Sequence, residues 1–261
     1  MKLLYVVVLY EQNFFNTNVY RTLIRKEEQH FLFVYDNSSQ AKHLKSEFKG
    51  KWEYIHDPAN GGLSKAYNKA ALFAKRNGFE WILLLDQDTI FSPCILKSYE
   101  RIQSKYPEIK LIVPSVKIEK GTYISPTKIH WWGNRSSKMI PNGILSLFKY
   151  SPINSGMLIQ VSAFWEVGGY NEKVKLDYSD YQFIERLRKK YPSFYVMKET
   201  ILQNFSSLVD SIPIKKKRYA LFCQSIKHFE TNSILQKISC FTISLKRAFS
   251  LIIQLKEFSP L

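Results

Sequence analysis

Cysteine is scarce in this sequence. Cys94, Cys223 and Cys240 are the only three in 261 residues. Their number is odd and their spacing fits no metal motif, which excludes a disulfide framework and points to free thiols in a reducing compartment. Histidine is also sparse: His30, His43, His56, His130 and His228 are scattered with no HxxxH pair, so no zinc site is expected. Long apolar runs are missing, and none approaches the roughly 18–20 residues of a membrane span. Leu3 to Tyr10, after Met1-Lys2, imitates a leader, but it is only eight residues long, ends at Glu11 and lacks a small-residue cleavage site. It reads instead as a first strand. Acidic residues are outnumbered, 22 against 38 Lys+Arg, for a formal net charge of +16. That balance favours anionic partners: nucleotide phosphates, lipid headgroups or nucleic acid. No RNA-recognition aromatic signature, zinc motif or helix-turn-helix accompanies the charge, so nucleic acid is not the expected partner. Internal repeats and low-complexity tracts are absent.

What is present is enough for a core. Hydrophobic residues make up 45% and aromatics 15%, and the length suits one α/β domain with an appendage. Leu3–Leu9 is Val- and Leu-rich, as in a strand buried on both faces. Val19–Ile24 reads as a short helix, Phe31–Tyr35 and Trp52–Ile55 as strands, and Leu63, Ala66, Ala70 and Phe73 mark a helix running to Arg76. Trp81–Leu85 is the next strand. This alternation predicts a mostly parallel mixed sheet with helices on both faces. Leu111–Val113 reads as a strand stopped by Pro114, residues 117–151 as loops and short strands over the sheet's ligand edge, Met157–Val161 as a strand, and Asp177–Lys190 as a helix.

The chain divides at about residue 210. Residues 1–210 form the expected catalytic domain, and 211–261 a basic, amphipathic, helical extension. The extension carries nine lysines and arginines against Glu230 and Glu257, a net +7. Ile234, Ile238, Phe241, Leu245, Phe249, Ile252 and Leu255 recur at three- and four-residue steps, an apolar stripe beside basic residues. Such a stripe either packs on a core or lies on an anionic membrane surface.

Asp86-Gln87-Asp88 is the most informative motif. It follows the five apolar residues Trp81–Leu85, so a buried strand delivers two carboxylates at its C-terminal tip, where open α/β sheets place ligands. Hard oxygen donors there suit Mg2+ or Mn2+, completed by waters and substrate phosphates; a simple Asx turn would use the same residues. Asp36-Asn37-Ser38-Ser39 ends the second strand, where a carboxylate can accept from the N–H of a pyrimidine ring or merely close a turn. Asn60-Gly61-Gly62-Leu63-Ser64 opens a helix; its glycines let a ligand approach the backbone, and helix-start N–H groups favour anions. It is neither GxGxxG nor a Walker A loop. Asp177-Tyr178-Ser179-Asp180 is a second acidic cluster, in which Asp180 suits an N-cap or a general base. Trp131-Trp132 suits stacking on a sugar or lipid, or covering a core edge.

Taken in order, these motifs resemble the family 2 inverting glycosyltransferases of GT-A (Rossmann-like) fold, and within them bacterial rhamnosyltransferase-type enzymes of surface polysaccharide assembly, such as O-antigen and capsule. The matching pieces are Val7-Val8-Leu9-Tyr10, Asp36-Asn37-Ser38-Ser39, Asn60-Gly61-Gly62 with Asn68, Leu84-Leu85-Asp86-Gln87-Asp88, Asn154-Ser155-Gly156, Gly168-Gly169-Tyr170, and Asp177 to Arg186. The resemblance implies a UDP- or dTDP-sugar donor. It implies donor contacts at Tyr10, Asp36, Asn60, Gly61, Gly62, Ser64, Asn68, Asp86 and Gln87, and a divalent metal, Mg2+ or Mn2+, on Asp88 with Asp86. Asp180 or Asp177 is implied as the base, with Trp131, Trp132, Asn154, Ser155 and Gly156 near the acceptor. The implied acceptor is a glycan, lipid-linked, met at the inner face of the cytoplasmic membrane by a cytoplasmic, peripherally associated enzyme. Ser179 and Gln182 stand where relatives often carry further acids, and Leu9-Tyr10-Glu11 replaces the common Thr-Tyr-Asn. A nucleotidyltransferase making nucleotide sugars is the rival chemistry, but no Gly-rich, Arg/Lys-bearing triphosphate loop lies near the N-terminus. A basic nucleic-acid-binding protein is the non-enzymatic rival, supported by charge alone.

Overall fold

The computed structural model describes residues 1–26, 31–41, 50–118, 121–130, 135–137, 139–203, 212–231 and 234–257. In chain order the main elements are β1 (Leu3–Leu9), α1 (Asn18–Thr22), β2 (Phe31–Asp36), β3 (Trp52–His56), α2 (Gly62–Arg76), β4 (Trp81–Asp86), β5 (Thr89–Ile90), α3 (Ile95–Lys105) and β6 (Leu111–Lys117). They continue through β7 (Tyr123–Lys128), β8 (Arg135–Ser137), β9 (Gly143–Ser146), β10 (Tyr150–Ser151), β11 (Met157–Gln160), α4 (Val161–Glu166), α5 (Ser179–Leu187), β12 (Ser193–Gln203), α6 (Ile212–Lys227) and α7 (Ile234–Glu257). Among the described residues no helix is long and apolar enough to cross a membrane.

The strands form one mixed sheet in the order β10-β7-β6-β11-β4-β1-β2-β3. The run β4-β1-β2-β3 is parallel, with Val8 beside Asp86 and Leu9 beside Asp36. All three strand ends that carry candidate site residues therefore meet at one edge. Beyond β4 the sheet turns antiparallel through β11. Every residue of β1 is buried. Leu3, Tyr5, Val7 and Leu9 face one core with α1 and α3, whereas Leu4, Val6 and Val8 face another with α2, α4 and α5. Period-2 alternation thus sends the strand's apolar side chains to two helical layers. On α2 the buried face is Ala66, Ala70, Ala71 and Ala74 with Tyr67, small enough for close approach to the sheet.

The structure corrects the expectation at Pro114: β6 runs through it to Lys117. The neighbouring β12 jumps register from Val196 to Thr200 just there, so the missing proline N–H falls where the ladder is already interrupted. The expected helix at 177–190 is shorter, Ser179–Leu187, because Tyr178 takes a left-handed conformation (φ 70°) ahead of it.

The extension is not a separate layer. Arg186 forks onto Glu230, Gln236 donates to Glu185 at 2.7 Å, and Phe222 is fully buried against Tyr178. One face of α7 packs on the domain. The opposite face is the apolar stripe, and it points outward: Ile234, Ile238, Phe241, Leu245, Phe249 and Ile252 are all exposed, Phe241 at 65% and Phe249 at 62%. The stripe therefore does not cover this chain's own core.

Candidate active site

β4 ends at Asp86, and the chain turns at once through Gln87 and Asp88. The turn is clamped from outside. Asn18 donates its backbone N–H to the Gln87 carbonyl and its side-chain amide to the Asp88 carbonyl, each at 3.0 Å. The Gln87 amide accepts the Tyr10 N–H at 2.9 Å and donates to the Tyr10 carbonyl at 3.2 Å. Gln87 thereby stitches the end of β1 to the end of β4, while the Tyr10 ring stays exposed at the rim.

Asp86 receives a hydrogen bond from Gln203 Nε2 at 3.2 Å, with the Tyr67 hydroxyl 3.5 Å from its other oxygen. Burial, and after it the adjacent charge of Asp88, push this carboxyl up to about 7. Burial also raises Asp88, against the opposing pull of Gln203 and of the Arg218 cation. An open cavity of about 480 Å³ adjoins Asp86, a size that suits a bound small molecule. Asp86, Asn154, Asp177, Asp180 and Gln203 line it, and so do Arg218, Ile243, Lys246 and Arg247 of the extension.

Asp180 sits in the first turn of α5, not at its N-cap, which is Tyr178 with no side-chain cap bond. Its carboxylate accepts the Tyr181 N–H at 2.8 Å. Burial raises it to about 6, with the Asp177 charge adding to the rise. The hydroxyls of Tyr67 and Tyr170 feel both Asp86 and Asp180, so the two acids surround one locus. Asp177 is held differently: Arg247 grips it at 2.5 Å while stacking over Phe222, 4.3 Å from the ring centroid.

The other expected donor contacts have partners within the chain. Gly62 has φ +86°, and a Cβ there would lie 2.4 Å from the Lys175 carbonyl. Ser64 donates to the Val174 carbonyl at 2.5 Å, and Asn68 bonds Tyr170 through both its carbonyl and its N–H, at 3.0 and 2.9 Å. The backbone that approaches Gly62 is thus the protein's own 170–175 segment, which leads to Asp177 and Asp180. Gly61 donates to Asp57 at 3.2 Å, and Asn60 takes a left-handed turn ahead of it (φ 49°). Asp36 is fully buried and accepts from the Ser38 N–H and the Tyr54 hydroxyl, at 2.9 and 2.5 Å. Of the acceptor candidates, Asn154 is on the cavity wall. Ser155 is buried behind it, 2.7 Å from Thr89, and Gly156 is packed beneath Pro114. Trp131 and Trp132 lie outside the described residues.

Among the described residues no three His, Cys, Asp or Glu side chains gather to hold a metal. Asp86 and Gln203 do line the cavity together, the buried Gln203 Oε1 has no hydrogen-bond partner, and the charge of Asp88 acts on Asp86. This hard-oxygen set, with charge to neutralise, fits Mg2+ or Mn2+ completed by water and phosphate. Gln203, Arg218, Lys246 and Arg247 were not singled out in the sequence as site residues. The basic run Lys215–Arg218 was visible, but nothing local signals that it folds back over the sheet edge.

Comparisons with known proteins agree with this geometry. The family model described as glycosyl transferase family 2 matches residues 17–168. No curated protein matches the sequence significantly. Among solved structures, TarS residues 1–349 from S. aureus aligns with a TM-score of 0.55 at 14% identity, covering 96% of this chain and 72% of that one. Its complex with UDP-GlcNAc gives the same TM-score and identity, with 96% and 73% covered. The mannosyltransferase PcManGT from Pyrobaculum calidifontis, in complex with GDP-Man and Mn2+, aligns with a TM-score of 0.58 at 10% identity over 100% of this chain and 76% of that one. At such identities the structural likeness establishes the shared GT-A fold. With the family model matched over more than half of its residues, the chain belongs to glycosyl transferase family 2, and it is a nucleotide-sugar-dependent glycosyltransferase.

Proposed function

We propose that this enzyme is a metal-dependent, inverting transferase. It moves a sugar from a UDP- or dTDP-sugar to a hydroxyl of a glycan acceptor, lipid-linked, in the assembly of a cell-surface polysaccharide. The observation that carries the reading is that Asp86 and Asp180 line one cavity, with Asp86 raised to about 7 by burial and the nearby charge of Asp88, and Asp180 raised to about 6. Raised carboxyls at a cavity are what proton transfer near neutral pH requires.

Asp180 takes the acceptor hydroxyl's proton as that oxygen attacks the anomeric carbon. The bond from that carbon to the diphosphate breaks on the opposite face, and configuration inverts. Asp180 is favoured over Asp177 as the base because the Arg247 guanidinium already engages the Asp177 carboxylate. Asp86 and Asp88 would hold Mg2+ or Mn2+, which offsets charge on the leaving diphosphate when bound. Tyr10, exposed at the rim between β1 and β4, is available to the donor base. The exposed stripe of α7, beside basic residues, supports peripheral attachment to the anionic inner face of the cytoplasmic membrane.

A thermal-shift panel of UDP, dTDP, GDP and CMP, with and without Mn2+, tests the reading. A ligand that binds only the folded state raises the melting temperature by mass action. Metal-dependent stabilisation by UDP or dTDP is expected. The absence of a shift with every nucleotide would sink the proposal.

A further inference from the structure

The basic extension supplies one wall of the cavity, and its three cations there have different partners. Arg247 is committed to Asp177. Lys246 is at the exposed mouth. Arg218, half-buried on α6, lines the cavity with Asp86, Asp180 and Gln203. We infer that Arg218 is a phosphate-binding residue, reaching the diphosphate of the nucleotide donor from outside the family-matched region 17–168. This rests on the nucleotide-sugar reading of the same site.

Three observations carry the inference. Arg218 lines the same cavity as Asp86 and Gln203, and its charge acts on Asp88, so it is within electrostatic reach of the acids proposed to hold the metal. Charge bookkeeping asks for such a group. One divalent cation cancels Asp86 and Asp88, leaving the diphosphate's own charge unmatched. A planar guanidinium is the side chain best shaped to bind phosphate oxygens in pairs, and charge-assisted bonds of that kind are the strong ones. Finally, α6 is anchored beside the cavity, because Phe222, one turn on from Arg218, is fully buried against Tyr178.

Calorimetric titration of the 261-residue chain in saturating Mg2+, with UDP, UMP and pyrophosphate as probes, tests this. Arg218→Gln is expected to weaken UDP and pyrophosphate at least tenfold while leaving UMP within about threefold. Arg218→Lys keeps the charge without the fork, and should retain part of the UDP preference. Unchanged UDP and pyrophosphate binding, or parallel loss of UDP and UMP, overturns the assignment in favour of a structural role. If the glutamine variant does not fold, the lysine variant decides on the same criteria. A wild-type chain that binds pyrophosphate but not UDP refutes the pyrimidine donor while the pyrophosphate arm still judges Arg218. A wild type that binds none of the three refutes the donor reading and this subsite together.

Discussion

Replacing Asp180 with asparagine should make the protein more stable and nearly inactive. The carboxyl stands raised from 3.8 to about 6 in the folded chain. A raised acid holds its proton more tightly when folded than when unfolded. It therefore opposes folding progressively as pH climbs from about 4 to 6, and fully above that. At about 1.4 kcal/mol per pH unit the rise amounts to roughly 3 kcal/mol. Asp180 is only half-buried, and solvent screening reduces this to about 1–2 kcal/mol. The amide oxygen of asparagine can keep the bond from the Tyr181 N–H, so little is lost in exchange. For a chain of this size the gain corresponds to about 3–6 °C in melting temperature at pH 8, shrinking toward zero below pH 5. Scanning calorimetry of wild type and Asp180→Asn across pH 4.5–8 reads it directly. Turnover should fall about 10²- to 10⁴-fold with donor affinity intact, and wild-type kcat/KM should rise through about pH 6. A variant less stable at pH 8, or a stability difference that ignores pH, would refute the argument that Asp180 is a strained base.

Asp88→Asn should abolish turnover and the Mn2+-dependent part of nucleotide-induced thermal stabilisation, with an unchanged circular dichroism spectrum; near-normal activity would remove Asp88 from the metal site. Phe241→Ser with Phe249→Ser should weaken sedimentation with anionic vesicles at least tenfold while leaving the melting temperature within about 2 °C, because both rings are exposed; undiminished vesicle binding would exclude the α7 stripe as the contact. Gly62→Ala should destabilise by about 2–4 kcal/mol in a urea titration, since its Cβ would meet the Lys175 carbonyl at 2.4 Å from a φ of +86°.

The parallel half of the sheet was legible because each signal was local and redundant. Trp81–Leu85 followed by two acids, and the two-sided burial of Leu3–Leu9, each announce a central strand. α3 carried its own pattern, Ile95, Tyr99 and Ile102 along one buried face, but the sequence reading passed over it. β12 was harder: it bulges opposite Pro114 and exposes Lys198 and Leu202, so its alternation breaks and no period-2 signal survives. The same kind of gap affects the site. Asp86, Asp88 and Asp180 are candidates legible in the sequence because strand ends and an acidic cluster mark themselves, and Asp86 and Asp180 line the cavity. Gln203 and Arg218 join them only through tertiary return of the chain, which no spacing records. The Asn60–Asn68 motif stands out in the sequence as a ligand loop, yet much of it is occupied by the 170–175 segment rather than left open. A glycine that admits a close backbone does not say whose backbone it is. The stripe on α7 is legible as a stripe, but periodicity cannot tell an inward face from an outward one.

On α7, Ile243, Lys246 and Arg247 face the cavity while Phe241, Leu245 and Phe249 face away from it. The reacting locus and whatever lies on the stripe are then separated by a single helix, about 10 Å thick. With a bilayer on that outer face, the helix acts as a ruler. On the proposed reading of a lipid-linked glycan acceptor, a hydroxyl close above the headgroups would reach Asp180. Longer chains would have to bend back or bind from the open side. Reach, as much as hydrogen bonding in the pocket, would then decide how far along a growing glycan this enzyme can act.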